Sequence, residues 1–188
     1  MNKKNLICFL LLILIVGVYY SYQNDDDVLS TPSNANQPET PIYQSEDMVT
    51  NVYDLSGNIV YKIESGKVEH FDNNENTDFD LPNVTLYDQD HTATWHIQAK
   101  RATLTKDKLI YLYQDVTLTN LIADSQLQQV LTDDAVVDLT TQLVTSKDPV
   151  KIKGTGFFST GVGLVGNLRE KTANILENVK TFYNSEAQ

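Results

Sequence analysis

The chain of 188 residues carries 14 basic and 25 acidic side chains, a formal net charge of -11. That length suits one domain of ordinary size plus a tail or anchor, and the charge excludes general attraction to nucleic-acid phosphate. Cys8 is the one cysteine, so an intramolecular disulfide and a cysteine-based metal site are both excluded and the fold is held by packing.

Lys3 and Lys4 precede an apolar run from Leu6 to Tyr20, which is followed by Tyr22 and the acidic triplet Asp25, Asp26 and Asp27. A cleaved signal peptide would end in small residues, and Gly17 to Tyr22 supplies no such site, so the run reads as an uncleaved anchor. It is short for a hydrocarbon core of about 30 Å, with Tyr19, Tyr20 and Tyr22 serving as the interfacial aromatic belt. Lysines before it and aspartates after it place residues 1–5 in the cytoplasm and everything beyond 6–22 on the far side. Cys8 lacks the context of a lipidation site. Residues 23–41 hold three of the five prolines with Asn, Ser, Thr and Asp, a composition that cannot offset its ordering entropy and reads as a flexible tether. One domain is expected over 42–184, with a tail at 185–188.

From Ile42 onward the pattern has period two. Ile59, Tyr61 and Ile63 face one way and Lys62 and Glu64 the other; Trp95, Ile97 and Ala99 oppose Thr94, His96 and Gln98. Such alternation marks half-buried strands. The best helical stripe, Thr172 to Val179, is short and has no clear cap. A recurrence is countable: Ile63, Ile97 and Leu131 stand 34 residues apart, and "VTL" at 84–86, "VTL" at 116–118 and "VKI" at 150–152 follow at spacings of 32 and 34. A period of 34 matches helical tetratricopeptide repeats, but the alternation and the Val, Ile, Thr and Tyr content require a β-meander, stacked into a sheet pair or open barrel. Asp54 to Asn58, Ser65 to Lys67, Lys106 to Lys108 and Asp133-Asp134 read as turns at hairpin spacing. Residues 72–80, "DNNENTDFD", are too long and polar for a tight turn and read as a loop or rim feature. Phe79 within it either covers the end of a sheet or touches a ligand.

His70, His91 and His96 lack the spacing of a metal site, and no phosphate loop, nucleophile elbow or Ser-x-x-Lys pair is present. The acidic residues sit where turns use them. The sequence therefore nominates no catalytic residue, metal or cofactor. It offers a long apolar strand face instead: core if the sheet pair is closed, a groove for acyl chains if it is open. Tethering beside a bilayer raises the local concentration of lipid.

The anchor followed by "VYDLSGNIVYKI" (52–63), "LPNVTLYD" (81–88), "LTKDKLIYLYQDV" (104–116), "DSQLQQVLTDDA" (124–135), "VTS" (144–146) and "GNLREKTANI" (166–175) resembles the lipopolysaccharide-export LptC family in order and spacing over nearly the whole chain. Gln114 departs from that pattern, where glycine is common, and puts the local turn conformation in question. The resemblance implies an open V-shaped antiparallel β-jellyroll in the periplasm, preceded by a single transmembrane helix in the bacterial inner membrane. It also implies a carrier, not an enzyme, that takes lipopolysaccharide from an inner-membrane ABC transporter of the LptB, LptF and LptG type and passes it to periplasmic LptA. By the same resemblance the edge around Tyr43 to Val52 faces the transporter, with Met48 near the entrance. The edge from Gly154 through Ala173 to Tyr183 receives LptA, although Gly154 has an equally simple reading as a turn glycine.

Alternation assigns Ile59, Tyr61, Ile63, Val84, Leu86, Trp95, Ile97, Leu104, Val116, Leu118, Val137, Leu139, Val150 and Ile152 to the inner face, and Phe79 joins them as a candidate lipid contact. Some of these are expected to be closed core. The alternative to a lipid conduit is a docking or regulatory scaffold whose edges join partners while its apolar face is ordinary core. An envelope hydrolase has no residue to support it.

Overall fold

The computed structural model describes residues 40–72 and 75–183; the anchor at 6–22 and nearly all of the 23–41 tether lie outside the described residues. Among those described there is no helix, and eleven strands follow one another: β1 (Tyr43–Tyr53), β2 (Ile59–Phe71), β3 (Asn76–Asp80), β4 (Asn83–Tyr87), β5 (Ala93–Gln98), β6 (Arg101–Leu104), β7 (Leu109–Asn120), β8 (Leu127–Asp138), β9 (Leu143–Gly154), β10 (Phe157–Asn167) and β11 (Thr172–Tyr183). Thr172 to Val179, the best helical stripe of the sequence, lies in β11, because its apolar residues serve a strand paired with β10.

Every pairing is antiparallel, and all strands join one sheet. Between β2 and β7 the sheet divides. Residues 61–64 of β2 pair with β4, which pairs with β5, which reaches residues 117–120 of β7. Residues 67–71 of β2 pair instead with β3, then β6, then residues 110–113 of β7. Each long strand thus spends one half in a β4–β5 leaf and the other in a β3–β6 leaf, and the two inner faces share one core.

The strands bend between the leaves along a common line. Asp47 in β1, Leu81 between β3 and β4, Gln114 and Asp115 in β7, Gly163 in β10 and Asn178 in β11 have positive φ there. The pairing register shifts at 113/116, 132/136 and 162/164. A bulge leaves ladder groups without partners, and carboxylates replace some of them. Asp134 Oδ1 accepts from the Gln114 N–H at 3.0 Å, and Asp148 Oδ2 accepts from the Asp134 N–H at 3.2 Å. Pro149, with no N–H to give, sits at the same level of β9.

Two expectations about turns change here. Asp54 to Asn58 and Lys106 to Lys108 do close hairpins, whereas Ser65 to Lys67 and Asp133-Asp134 lie inside β2 and β8 at the bend. The "DNNENTDFD" segment is a turn only at its start; residues 76–80 form β3, clamped between β2 and β6, and Phe79 is buried core. The repeat is likewise partial. Val84, Leu86, Val116, Val150 and Ile152 share the inner face, but Leu131 faces outward between the buried Val130 and Thr132, and the strand order is not that of three stacked units.

Gln114 keeps the left-handed conformation at φ 63 without being glycine, and Asp115 follows at φ 55. Such a residue carries a strain of about 1–2 kcal/mol that glycine avoids. Gln114→Gly is therefore expected to stabilise the domain by about 1 kcal/mol, seen as a higher urea midpoint at unchanged slope; an unchanged or lower midpoint would show that the bend holds no such strain.

The apolar interior and its two free edges

Strand alternation sets the interior. Val84 and Leu86 on β4, Trp95 and Ile97 on β5, Val116 and Leu118 on β7, Val137 on β8 and Ile63 on β2 are wholly or almost wholly buried, as are Tyr61, Phe79, Leu139, Val150 and Ile152. Each such side chain stabilises the fold by about 1.5–3 kcal/mol. Ile59 and Leu104 are only half-buried; Leu104 still packs against the core, whereas Ile59 lines a cavity at the leaf margins. Burial pushes the Tyr61 phenol above its ordinary pKa. Every buried side-chain nitrogen or oxygen among the described residues has a hydrogen-bond partner, so the interior offers a guest apolar contact and no unpaired polar group.

Sequence reasoning missed Val68, Ile110, Leu112, Leu164 and Leu168, all buried. Ile110 and Leu112 continue the phase of Val116 and Leu118 and were legible from it. Val68 and Leu164 lie beyond the bends at Gly66 and Gly163, where the alternation changes phase.

Facing the β4–β5 leaf, the β10–β11 turn crosses the margin opposite the bend. A cavity of about 520 Å³ opens there, lined by Asp54, Asn58, Ile59, Tyr87, Asp88 and Asp90 from one leaf and Gln142, Leu168, Arg169 and Lys171 from the other. A second, of about 340 Å³, lies between Leu127, Ile152 and Phe157 on one side and Ala173 and Ile175 on the other. Asp54 and Asp138 accept backbone N–H bonds in their turns, from Asn58 and Thr141 above all, which holds both carboxyls below the usual range. The histidines stay apart: His70 Nδ1 meets Thr77 Oγ1 at 2.9 Å, His91 Nε2 meets Asn58 Oδ1 at 2.7 Å, and His96 is paired in register with Thr85 and Thr119. Among the described residues no group of three His, Cys, Asp or Glu side chains is placed to hold a metal ion.

The sheet does not close on itself. Among the described residues, β1 pairs only with β2 and β11 only with β10, which leaves two edge strands of 11 and 12 residues. On β1, Tyr43 is exposed and its hydroxyl donates to Met48 Sδ at 3.0 Å, while Met48 packs against the core. On β11, Leu176, Val179, Phe182 and Tyr183 are exposed and Ala173 packs inward. Gly154 ends β9 and precedes a turn, but close approach is what requires it: a Cβ would meet the Phe157 ring and would stand 2.6 Å from the Gln126 carbonyl.

A bent antiparallel sheet folded around an apolar interior defines the chain as an all-β protein. Residues 9–184 match the model of the LptC-related lipopolysaccharide-assembly family. The chain is 37% identical to the lipopolysaccharide export system protein LptC of Escherichia coli strain K12 over 181 residues, covering 96% of this chain and 93% of the relative. It is 37% identical to LptC of Haemophilus influenzae over 203 residues, or 99% and 96% of the two chains. A crystal structure of LptH, an LptA-homologous periplasmic component of the lipopolysaccharide transport device of Pseudomonas aeruginosa, overlays at a TM-score of 0.46 and 13% identity, covering 77% of this chain and 95% of that one. The chain belongs to the LptC family, and is thereby a non-enzymatic component of lipopolysaccharide transport.

Leu118 tests how closed the interior is. Leu118→Glu buries a carboxylate without a partner and is expected to cost roughly 3–5 kcal/mol at pH 7. Burial raises that carboxyl's pKa, so the neutral form persists in the folded state and the loss shrinks toward pH 4. A loss under about 0.5 kcal/mol, as at surface positions, would show instead that Leu118 faces open water.

Proposed function

We propose that the protein receives lipopolysaccharide from an inner-membrane ABC transporter of the LptB, LptF and LptG type, shelters its acyl chains between the two leaves, and passes them to periplasmic LptA. The apolar anchor sequence at 6–22 holds it in the inner membrane as a single-pass protein with a cytoplasmic N-terminus, and the β domain works in the periplasm. One observation carries this reading: a single apolar interior runs under a sheet whose two ends are both long, unpaired strands. An exposed edge of that length is an aggregation hazard unless another strand covers it, and addition of a partner's strand would continue both the sheet and its apolar face into the neighbour. Acyl chains suit an interior that lacks unpaired polar groups. In this reading the β1 edge, with Tyr43 and Met48, meets the transporter, and the β11 edge, with Ala173 and Tyr183, meets LptA; Gly154 keeps the end of β9 close to Phe157 beside that edge.

The second reading, a scaffold that joins transporter and LptA without carrying lipid, is favoured by the complete burial of Leu86, Trp95, Ile97 and Leu118. Both readings need the edges. Photoreactive residues placed at Tyr43 and Tyr183 in membranes containing the whole machinery are expected to capture the transporter from the first position and LptA from the second. Capture of LptA from Tyr43, or of neither protein from either position, would contradict the assignment.

A further inference from the structure

Trp95 is the protein's single tryptophan. It projects from β5 into the core, and its indole N–H donates to the backbone carbonyl of Leu168 at 2.7 Å. Leu168 opens the turn between β10 and β11, which belongs to the other leaf through the pairing of residues 164–167 with 143–146. The bond therefore crosses from one leaf to the other at the margin opposite the bend. Leu168 itself is buried beside it.

Among the described residues, the other hydrogen bonds of that turn run to its own leaf. The Leu168 N–H donates to the Gln142 carbonyl at 2.9 Å, and Arg169 Nη2 donates to the Thr140 carbonyl at 3.1 Å. Lys171 takes a left-handed conformation at φ 57, and Arg169, Glu170 and Lys171 are exposed. The turn is thus tied by hydrogen bonds to the β8–β9 turn, and the Trp95 N–H, with the buried Leu168 side chain beside it, joins it to the facing leaf. The 520 Å³ cavity lies at this seam, with Thr94 on one lip and Leu168, Arg169 and Lys171 on the other.

We propose that the Trp95–Leu168 hydrogen bond is a clasp that keeps the two leaves shut, and that the β10–β11 turn lifts from Trp95 when the interior takes a guest. This rests on the lipid-carrying reading for the identity of the guest, but not for the clasp itself. The hydrocarbon tail of an acyl chain has no acceptor for an indole N–H, and a buried donor without a partner is costly, so a tail cannot slide in beside Trp95 while the turn is partly displaced. The bond is either made with the seam shut or given up to water with the seam open. That makes the closed and open arrangements two distinct states, and a guest shifts the balance by binding only the open one.

The test uses the full chain in detergent, with Cys8→Ser so that spin labels attach only at Gln89→Cys on one lip and Glu170→Cys on the other; both native residues are exposed. Electron–electron distances are measured without and with purified lipopolysaccharide, and co-purification of radiolabelled lipopolysaccharide records binding separately. The Trp95→Phe variant, which keeps an aromatic ring and removes the N–H, is expected to show a new longer-distance population without any lipid. The Trp95-containing protein is expected to show that population only when lipopolysaccharide is bound. Lipopolysaccharide that co-purifies with no change of distance would overturn the clasp and leave the carrier reading standing. A Trp95→Phe chain that opens while neither form binds lipopolysaccharide would support the clasp and overturn the carrier reading. If Trp95→Phe does not fold, the lipid-dependent distance in the Trp95-containing protein decides alone.

Discussion

At the level of Gln114, Asp134 and Asp148, three neighbouring strands give up their regular ladder bonds together, and two carboxylates take over as acceptors. The rest of the structure depends on that line. An eleven-stranded sheet of these residues without a bend would expose Leu86, Ile97, Leu118 and Ile152 on one broad apolar face. Bent at a common level, the same strands turn that face onto itself and bury it. The cost is local: left-handed residues that are not glycine at Asp47, Leu81, Gln114, Asp115 and Asn178, each strained by about 1–3 kcal/mol, set against side chains worth about 1.5–3 kcal/mol apiece when buried.

Bending a sheet is not closing it. A barrel would remove both edges, yet here β1 and β11 remain unpaired while the bend between them buries the core. The core does not need the edges to be covered, since the apolar side chains are already packed. Two features are therefore separable: edge strands without a partner among the described residues, and an interior bridged across the margin by the Trp95–Leu168 hydrogen bond. Family membership places the chain in lipopolysaccharide transport.

Much of this was legible in period two. Val84, Leu86, Trp95, Ile97, Val116 and Leu118 were placed on the inner face by alternation alone, and all are buried. What alternation could not show is where its own phase changes. Gly66 and Gly163 stand at bends, so Val68 and Leu164 fell out of the pattern, and Leu131 was counted with Ile63 and Ile97 although it faces outward. Asp133-Asp134 and Ser65 to Lys67 have the composition of hairpin turns because bulges and turns ask for the same residues; only the pairing of β8 with β7 and of β2 with β1 on both sides of them tells the two apart. Residues 76–80 read as a loop because their strand character comes from β2 and β6, not from their own composition. The Trp95–Leu168 bond joins residues 73 apart, and no local pattern encodes it.

The central claim is that the interior receives acyl chains. Phe157 and Phe158 are neighbours on β10 that face opposite ways: Phe157 packs against the core and lines the 340 Å³ cavity, and Phe158 stacks on Phe182 outside at 4.7 Å between ring centroids. Replacing each in turn by the photoreactive benzoylphenylalanine enlarges an aromatic ring that is already there. In membranes carrying the transporter and ATP, the account predicts lipopolysaccharide captured at 157 and not at 158, and lost when ATP is withheld. Capture at neither position, in a folded protein that still holds its partners, would contradict it and leave a scaffold with an ordinary core.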